Sequence, residues 1–228
     1  MTFKYIGSLL ALSLIWSCQP KVSVEPTTVG PEPEPYRIVR DSVKTGAYLD
    51  ITIGENAATA YVKIQTLHTT KDVTYLNIVG NVFADLSLLK ERIPLYQYIV
   101  LNQKLGSDSG VQITLESQRV KSIYLNSGQQ LTQWPEKQKA TLSVRVGDAV
   151  SGLYDKLIKV RSIDRYANKF ENILLLTKNL STRYDEAMSL SPQWYFGYST
   201  GQDQMDQIQV HFQEGKVHKI YVDHYSKY

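Results

Sequence analysis

Apolar and polar positions alternate strictly in two stretches, "QITLESQRVKSIYL" at residues 112–125 and "QVHFQEGKVHKIYV" at residues 209–222. A period of two is that of a half-buried strand, and the break midway through each run makes it a β-hairpin. The second hairpin admits two registers. A two-residue Glu214-Gly215 loop puts Tyr221 on the face of Phe212. A type I turn with a bulge at Gly215 aligns Ile220 with Phe212 instead, and sends Val217 and Tyr221 to the open face. The bulged form is favoured because it places Ile220 and Val222 on the core side.

Upstream of each hairpin a short apolar stretch runs into a glycine and then changes period. These are "LDITIGENAATAYVKIQTL" at 49–67 and "LSVRVGDAVSGLYDKLIKV" at 142–160. Ala57, Ala60, Tyr61, Ile64 and Leu67 fall on one helical face, as do Val150, Leu153, Tyr154, Leu157 and Ile158. Asp148 is placed to cap the second helix, because its carboxylate can accept first-turn amide donors. The middle regions, 68–95 and 161–192, are ambiguous: "FADLSLLKERI" and "FENILLLTKNL" read equally as helix or strand up to Pro94 and Pro192. Aromatic strands, "LYQYIVLN" and "QWYFGYST", precede the hairpins.

The two halves repeat one another. Leu49/Leu142, Gly54/Gly147, Tyr61/Tyr154 and Lys63/Lys156 are identical in the helical segments, and Gln112/Gln209, Val120/Val217, Ile123/Ile220 and Tyr124/Tyr221 in the hairpins. Two matches in the same order at similar spacing indicate duplication. The expected fold class is therefore α+β: two tandem two-layer units, each a helical layer on an antiparallel sheet. The first repeat is assigned to residues 45–130 and the second to 131–228. "SGQQLTQWP" at 127–135 connects them, with Trp134 packed against one copy.

The front of the chain has a different pattern. "MTFKYIGSLLALSLIWSC" carries one early cation and an apolar run that is too short to span a bilayer. It resembles a bacterial lipoprotein signal, with residues 1–17 removed and Cys18, the only cysteine, lipidated. Residues 18–44 then form a Pro-rich tether, extended and solvated through "PEPEP". This implies an outer-membrane anchor, with the protein facing the periplasm.

Composition adds little to this. Sixteen tyrosines against five phenylalanines suit half-buried sheet positions, and 25 Lys plus Arg against 22 Asp plus Glu leave no basic surface for nucleic acid.

"VRVGDAVSGLYDKLIKV", "WYFGYS" and "IQVHFQEGKVHKIYV" together resemble the small outer-membrane lipoprotein family SmpA/OmlA and the related β-lactamase-inhibitor-protein fold. That resemblance implies a non-catalytic, protein-binding role in the envelope over a concave sheet. Inhibition of a β-lactamase does not carry over, because no residues here match the inhibitory loops.

No nucleophile elbow, zinc-binding helix, phosphate loop or dinucleotide fingerprint occurs, and no cofactor is implied. His211, His218 and Asp223 have the composition of a metal site but read as surface residues of a polar sheet face. Asp185/Glu186 and Asp203/Asp206 read as solvated loop carboxylates. The candidate binding surface comprises Tyr124, Trp194, Tyr195, Tyr198, His211 and Tyr221, around the densest aromatic cluster. The expectation is a lipid-anchored envelope protein that binds another protein through its open sheet faces. The alternatives are binding of a small ligand or glycan in the same groove and, less favoured, an unrecognised hydrolase.

Overall fold

The computed structural model describes residues 36–227, apart from the side chain of Tyr36; the segments read above as a signal peptide and tether, up to residue 35 and including Cys18, lie outside this range. Residues 36–43, assigned above to the tether, are instead the edge strand β1 (Tyr36–Val43). Two short strands, β2 (Ala47–Tyr48) and β3 (Ile51–Thr52), lead into α1 (Ala57–Thr70). Asn56 caps α1 by accepting the Thr59 N–H at 2.8 Å, and the helix buries the five residues its periodicity marks.

The ambiguous middle of the first copy resolves into β4 (Leu76–Ile78), β5 (Val82–Phe83) and two 3-10 turns. It leads to β6 (Tyr98–Asn102) and the hairpin β7 (Val111–Glu116) and β8 (Arg119–Leu125). Short strands β9 (Gln130–Leu131), β10 (Gln133–Trp134) and β11 (Val144–Arg145) make the connection to α2 (Leu153–Arg161) and α3 (Asp164–Ala167). The second middle region is β12 (Asn172–Leu175) and β13 (Thr177–Lys178). Three long strands close the chain: β14 (Gln193–Gly201), β15 (Gln204–Gln213) and β16 (Lys216–Lys227).

The expected pair of helix-on-sheet units does not form. Strand accounts for 42% of the structure and helix for 25%, and the strands divide among four sheets. One six-stranded sheet has the order β1-β16-β15-β14-β4-β13 and the other β5-β12-β6-β7-β8-β9. Each therefore contains the middle strand of the other copy: β4 pairs with β14, and β12 with β6.

The helices are exchanged in the same way. Gly54 N donates to Val217 O at 2.8 Å, Val217 N to Glu55 O at 2.8 Å and Ala57 N to Gly215 O at 2.9 Å, which seats α1 on the second hairpin. The duplicate set, Gly147 N to Val120 O, Val120 N to Asp148 O and Val150 N to Gln118 O at 2.8–3.0 Å, seats α2 on the first. Along the seam the sheets are joined by Gln97 N to Thr177 O at 2.7 Å and Leu176 N to Tyr98 O at 3.1 Å.

Three local expectations also change. Asp148 does not cap α2, whose N-cap is Gly152; it accepts from Arg145 N and Lys156 Nζ, both at 2.6 Å. A 3-10 turn over Val150–Gly152 shifts the helical phase, so Val160 is buried and Ile158 lies exposed. The hairpin combines its two candidate registers. Glu214 and Gly215 both have positive φ, as a two-residue type I′ loop requires, and the bulge falls after the loop, at His218. Ile220 and Val222 face the core and Tyr221 faces outward, as in the favoured bulged form. Val217, which that form sends to the open face, is buried, because the bulge lies at His218 and not at Gly215. The first hairpin has the same loop at Ser117-Gln118 and the same bulge at Lys121.

Candidate functional site

Each large sheet has one buried face and one that is partly open. On the buried face of the first, Trp194 packs against Phe212 at 4.4 Å and edge-on to Tyr61 of α1 at 6.4 Å. Trp134, Phe170, Leu153 and Leu157 belong to the same continuous core.

The open face is built of cross-strand rows. In the first sheet Thr177, Asn77, Tyr195, Gln209, Tyr221 and Ser42 lie side by side. In the second sheet the row is Val82, Leu174, Val100, Gln112, Tyr124 and Gln130. The Gln–Tyr pair written twice in the sequence occupies the same place in both rows. Alternation along each strand puts these residues opposite the core.

The centre of this face is apolar. Val82 and Tyr98 are exposed beside Leu174 and Val100, and Val79 lies exposed near Tyr195. A depression of about 380 Å³ there is lined by Asn77, Val79, Tyr98, Leu176 and Tyr195, among others, so it straddles the seam between the sheets.

The first sheet's outer part is polar and preorganised. Arg40 grips Asp223 in a bidentate pair, Nε to Oδ1 at 2.5 Å and Nη2 to Oδ2 at 2.7 Å, and Gln209 Nε2 adds a third donor at 2.9 Å. These donors, Arg40 first, hold the buried Asp223 carboxyl below its ordinary pKa. The Arg40 guanidinium lies 5.1 Å from the Tyr221 ring centroid. Lys219 Nζ lies 4.8 Å from that centroid and donates to the phenol oxygen at 3.2 Å. His211 meets Tyr221 edge-on at 5.3 Å, and its Nε2 is buried without a partner. Burial, with Lys219, Arg40 and His218 nearby, lowers its pKa.

The candidate surface residues thus separate. Tyr195, His211 and Tyr221 come together on the open face of the first sheet, and Tyr124 lies at the equivalent place on the second. Trp194 is fully buried and Tyr198 nearly so; both are core residues, because strand alternation turns them inward. Cys18 lies outside the described residues. Among the described residues no group of His, Cys, Asp or Glu is arranged to hold a metal. Asp223 is held by Arg40 instead.

Two carboxylates taken as solvated are buried. Asp185 accepts from Arg92 Nη1 and from Tyr96 OH at 2.9 Å. Near it Lys178, wholly buried, donates to Thr182 Oγ1 and Asn179 O, over the rings of Tyr61 and Tyr96. Burial lowers its pKa to about 7. Asp206 accepts from Tyr198 at 3.2 Å and pairs with His224 Nδ1 at 2.6 Å, while His224 Nε2 reaches Asp41 at 3.3 Å. Lys178 has no solvent access, and both clusters tie strands together, the second reaching the surface through His224 and Asp41.

Sequence reading missed Arg40, which sat in the supposed tether, and Tyr98, whose strand gave no sign of standing at a seam. An Arg four residues into "YRIVRDSV", a stretch with β-branched residues, was the available signal. No family model, no curated protein and no solved structure matches the chain, so the face is interpreted from its own residues.

Proposed function

We propose that this chain is a non-catalytic, lipid-anchored envelope protein, facing the periplasm, that binds another protein over the open face of its two joined sheets. The observation that carries this reading is the anatomy of that face. An apolar, aromatic centre at Tyr98, Val82 and Tyr195 is flanked on both sides by Gln–Tyr rows. Protein interfaces have this arrangement of an apolar centre and a polar rim. The Arg40–Asp223–Gln209 network supports it further, since a side chain already fixed loses little entropy on binding. The anchor and address rest on the lipoprotein-like signal ending at Cys18.

Two experiments test the reading. The full chain purified from solubilised envelopes is expected to bring a partner that Tyr98→Asp abolishes and Val62→Asp, on the exposed side of α1, retains. Equal recovery with both variants overturns the surface assignment. Cys18→Ala is expected to release the protein from the membrane fraction, and its retention there overturns the anchor.

A further inference from the structure

The open face has a charged notch at one end. Strand β1 stops at Val43 opposite Ile220, and Gly54 picks up the same edge of β16 again at Val217. The space between, about 490 Å³, is lined by Lys44, His218, Lys219 and Tyr221 over an apolar floor of Ile53 and Val217. Of its nearby carboxylates, Asp223 is held by Arg40, and Glu55 by Lys63 through Oε2, with Glu55 Oε1 buried without a partner. Among the described residues no carboxylate pairs with Lys44, Lys219 or His218. The hydrogen bond from Lys219, with the charges of Lys219, Lys44 and Arg40, lowers the pKa of the Tyr221 phenol, as expected in a positive field.

The duplicate hairpin positions in the other half carry no unpaired charge. Under the repeat, Lys121, Ser122 and Tyr124 stand where His218, Lys219 and Tyr221 stand here. Lys121 is paired with Glu116 at 2.5 Å, and Ser122 carries no charge. The frame was written twice, but the unpaired charge only once.

Building on the proposed function, we propose that this notch receives a carboxylate side chain of the protein partner, and that the contact sets which way round the partner lies. A face whose two halves repeat can accept a partner in two opposed orientations, and a charge present at one end only separates them. Two lysines and a histidine suit a single acidic side chain. Binding to an anionic membrane surface needs clusters of 4–8 Lys or Arg. The notch is also continuous with the open face, because Tyr221 belongs to both.

The probe is a fluorescein-labelled hexaglutamate peptide titrated by anisotropy into the full chain at low salt. It is expected to bind, to weaken about tenfold or more in the Lys44→Gln/Lys219→Gln double variant, and to be unaffected by Lys121→Gln. Equal weakening by Lys121→Gln, or none in the double variant, overturns the proposal. So does loss of phosphatidylglycerol-vesicle binding, in place of peptide binding, in the double variant. Partner recovery from envelopes separates this from the parent reading. Recovery lost in Tyr98→Asp but unchanged in the double variant leaves the open face standing and removes the notch. Peptide binding with no recoverable partner removes the open-face reading instead.

Discussion

Gly54 donates its backbone N–H to the carbonyl of Val217 at 2.8 Å, and the residue pair occupying the same places in the repeat, Gly147 and Val120, makes the same bond at the same length. Both glycines sit at φ +91°, a left-handed backbone that a side chain disfavours, with open space where a Cβ would stand. Gly54→Ala and Gly147→Ala are therefore expected to cost about 1–2 kcal/mol each, by strain alone. Urea unfolding of the two variants checks this; a large loss in one and none in the other would contradict equivalence of the two exchange points.

Trp194 is the largest fully buried side chain, and its Nε1 reaches Met188 O at 3.3 Å. Trp194→Ala is expected to destabilise the protein by about 3–5 kcal/mol, through lost burial and the cavity left among Phe212, Tyr61 and Tyr184. The midpoint of denaturant unfolding reads it. A loss below about 1 kcal/mol would mean that the residue is not in the core.

His224 is held between Asp206 and Asp41, and the Asp206 hydrogen bond raises its pKa above 6.5. A folded pKa raised above the unfolded one gives stability that is fully present below about 6.5 and lost as pH rises through the folded value. The stability difference between the protein and His224→Gln is thus expected to shrink as pH rises from 5.5 to 8.5 (about the span of a histidine titration). A difference that grows over that span would reverse the sign.

Lys178 has the opposite slope. Its pKa falls from 10.5 to about 7, so the folded chain releases this proton while the unfolded chain still holds it. The burial penalty is full below about 7 and is relieved as pH rises toward 10.5. Lys178→Met removes the titrating group, so the variant's stability advantage is expected to be larger at pH 6.5 than at pH 9.5, about the two sides of that titration. Paired urea curves at the two values measure it, and an advantage that increases with pH contradicts the buried ammonium.

Much of the local structure was legible in the sequence, because local period determines it. The hairpins, the five buried residues of α1 and the duplication all follow from spacing. The association of elements was not legible. Two copies of a hairpin offer two similar seats to each helix, and the spacing within a copy does not say which seat is taken. Gly147 follows the first hairpin through a short connection and takes that seat, which leaves the C-terminal hairpin to α1. The candidate face was half legible. Alternation separates Tyr195 from Trp194 and puts Tyr198 on the Trp194 face, where Asp206 and Tyr48 meet its hydroxyl. Arg40 was hidden because β1 lies at an edge with both faces largely exposed, so "YRIVRDSV" has no clean alternation.

The most direct measurement is photo-crosslinking in cells. p-Benzoylphenylalanine is placed at Tyr98, in the apolar centre of the open face, or at Val62, on the exposed side of α1. A discrete protein adduct from Tyr98 and none from Val62 is the predicted result; no adduct from Tyr98, or the same adducts from both positions, would contradict the account.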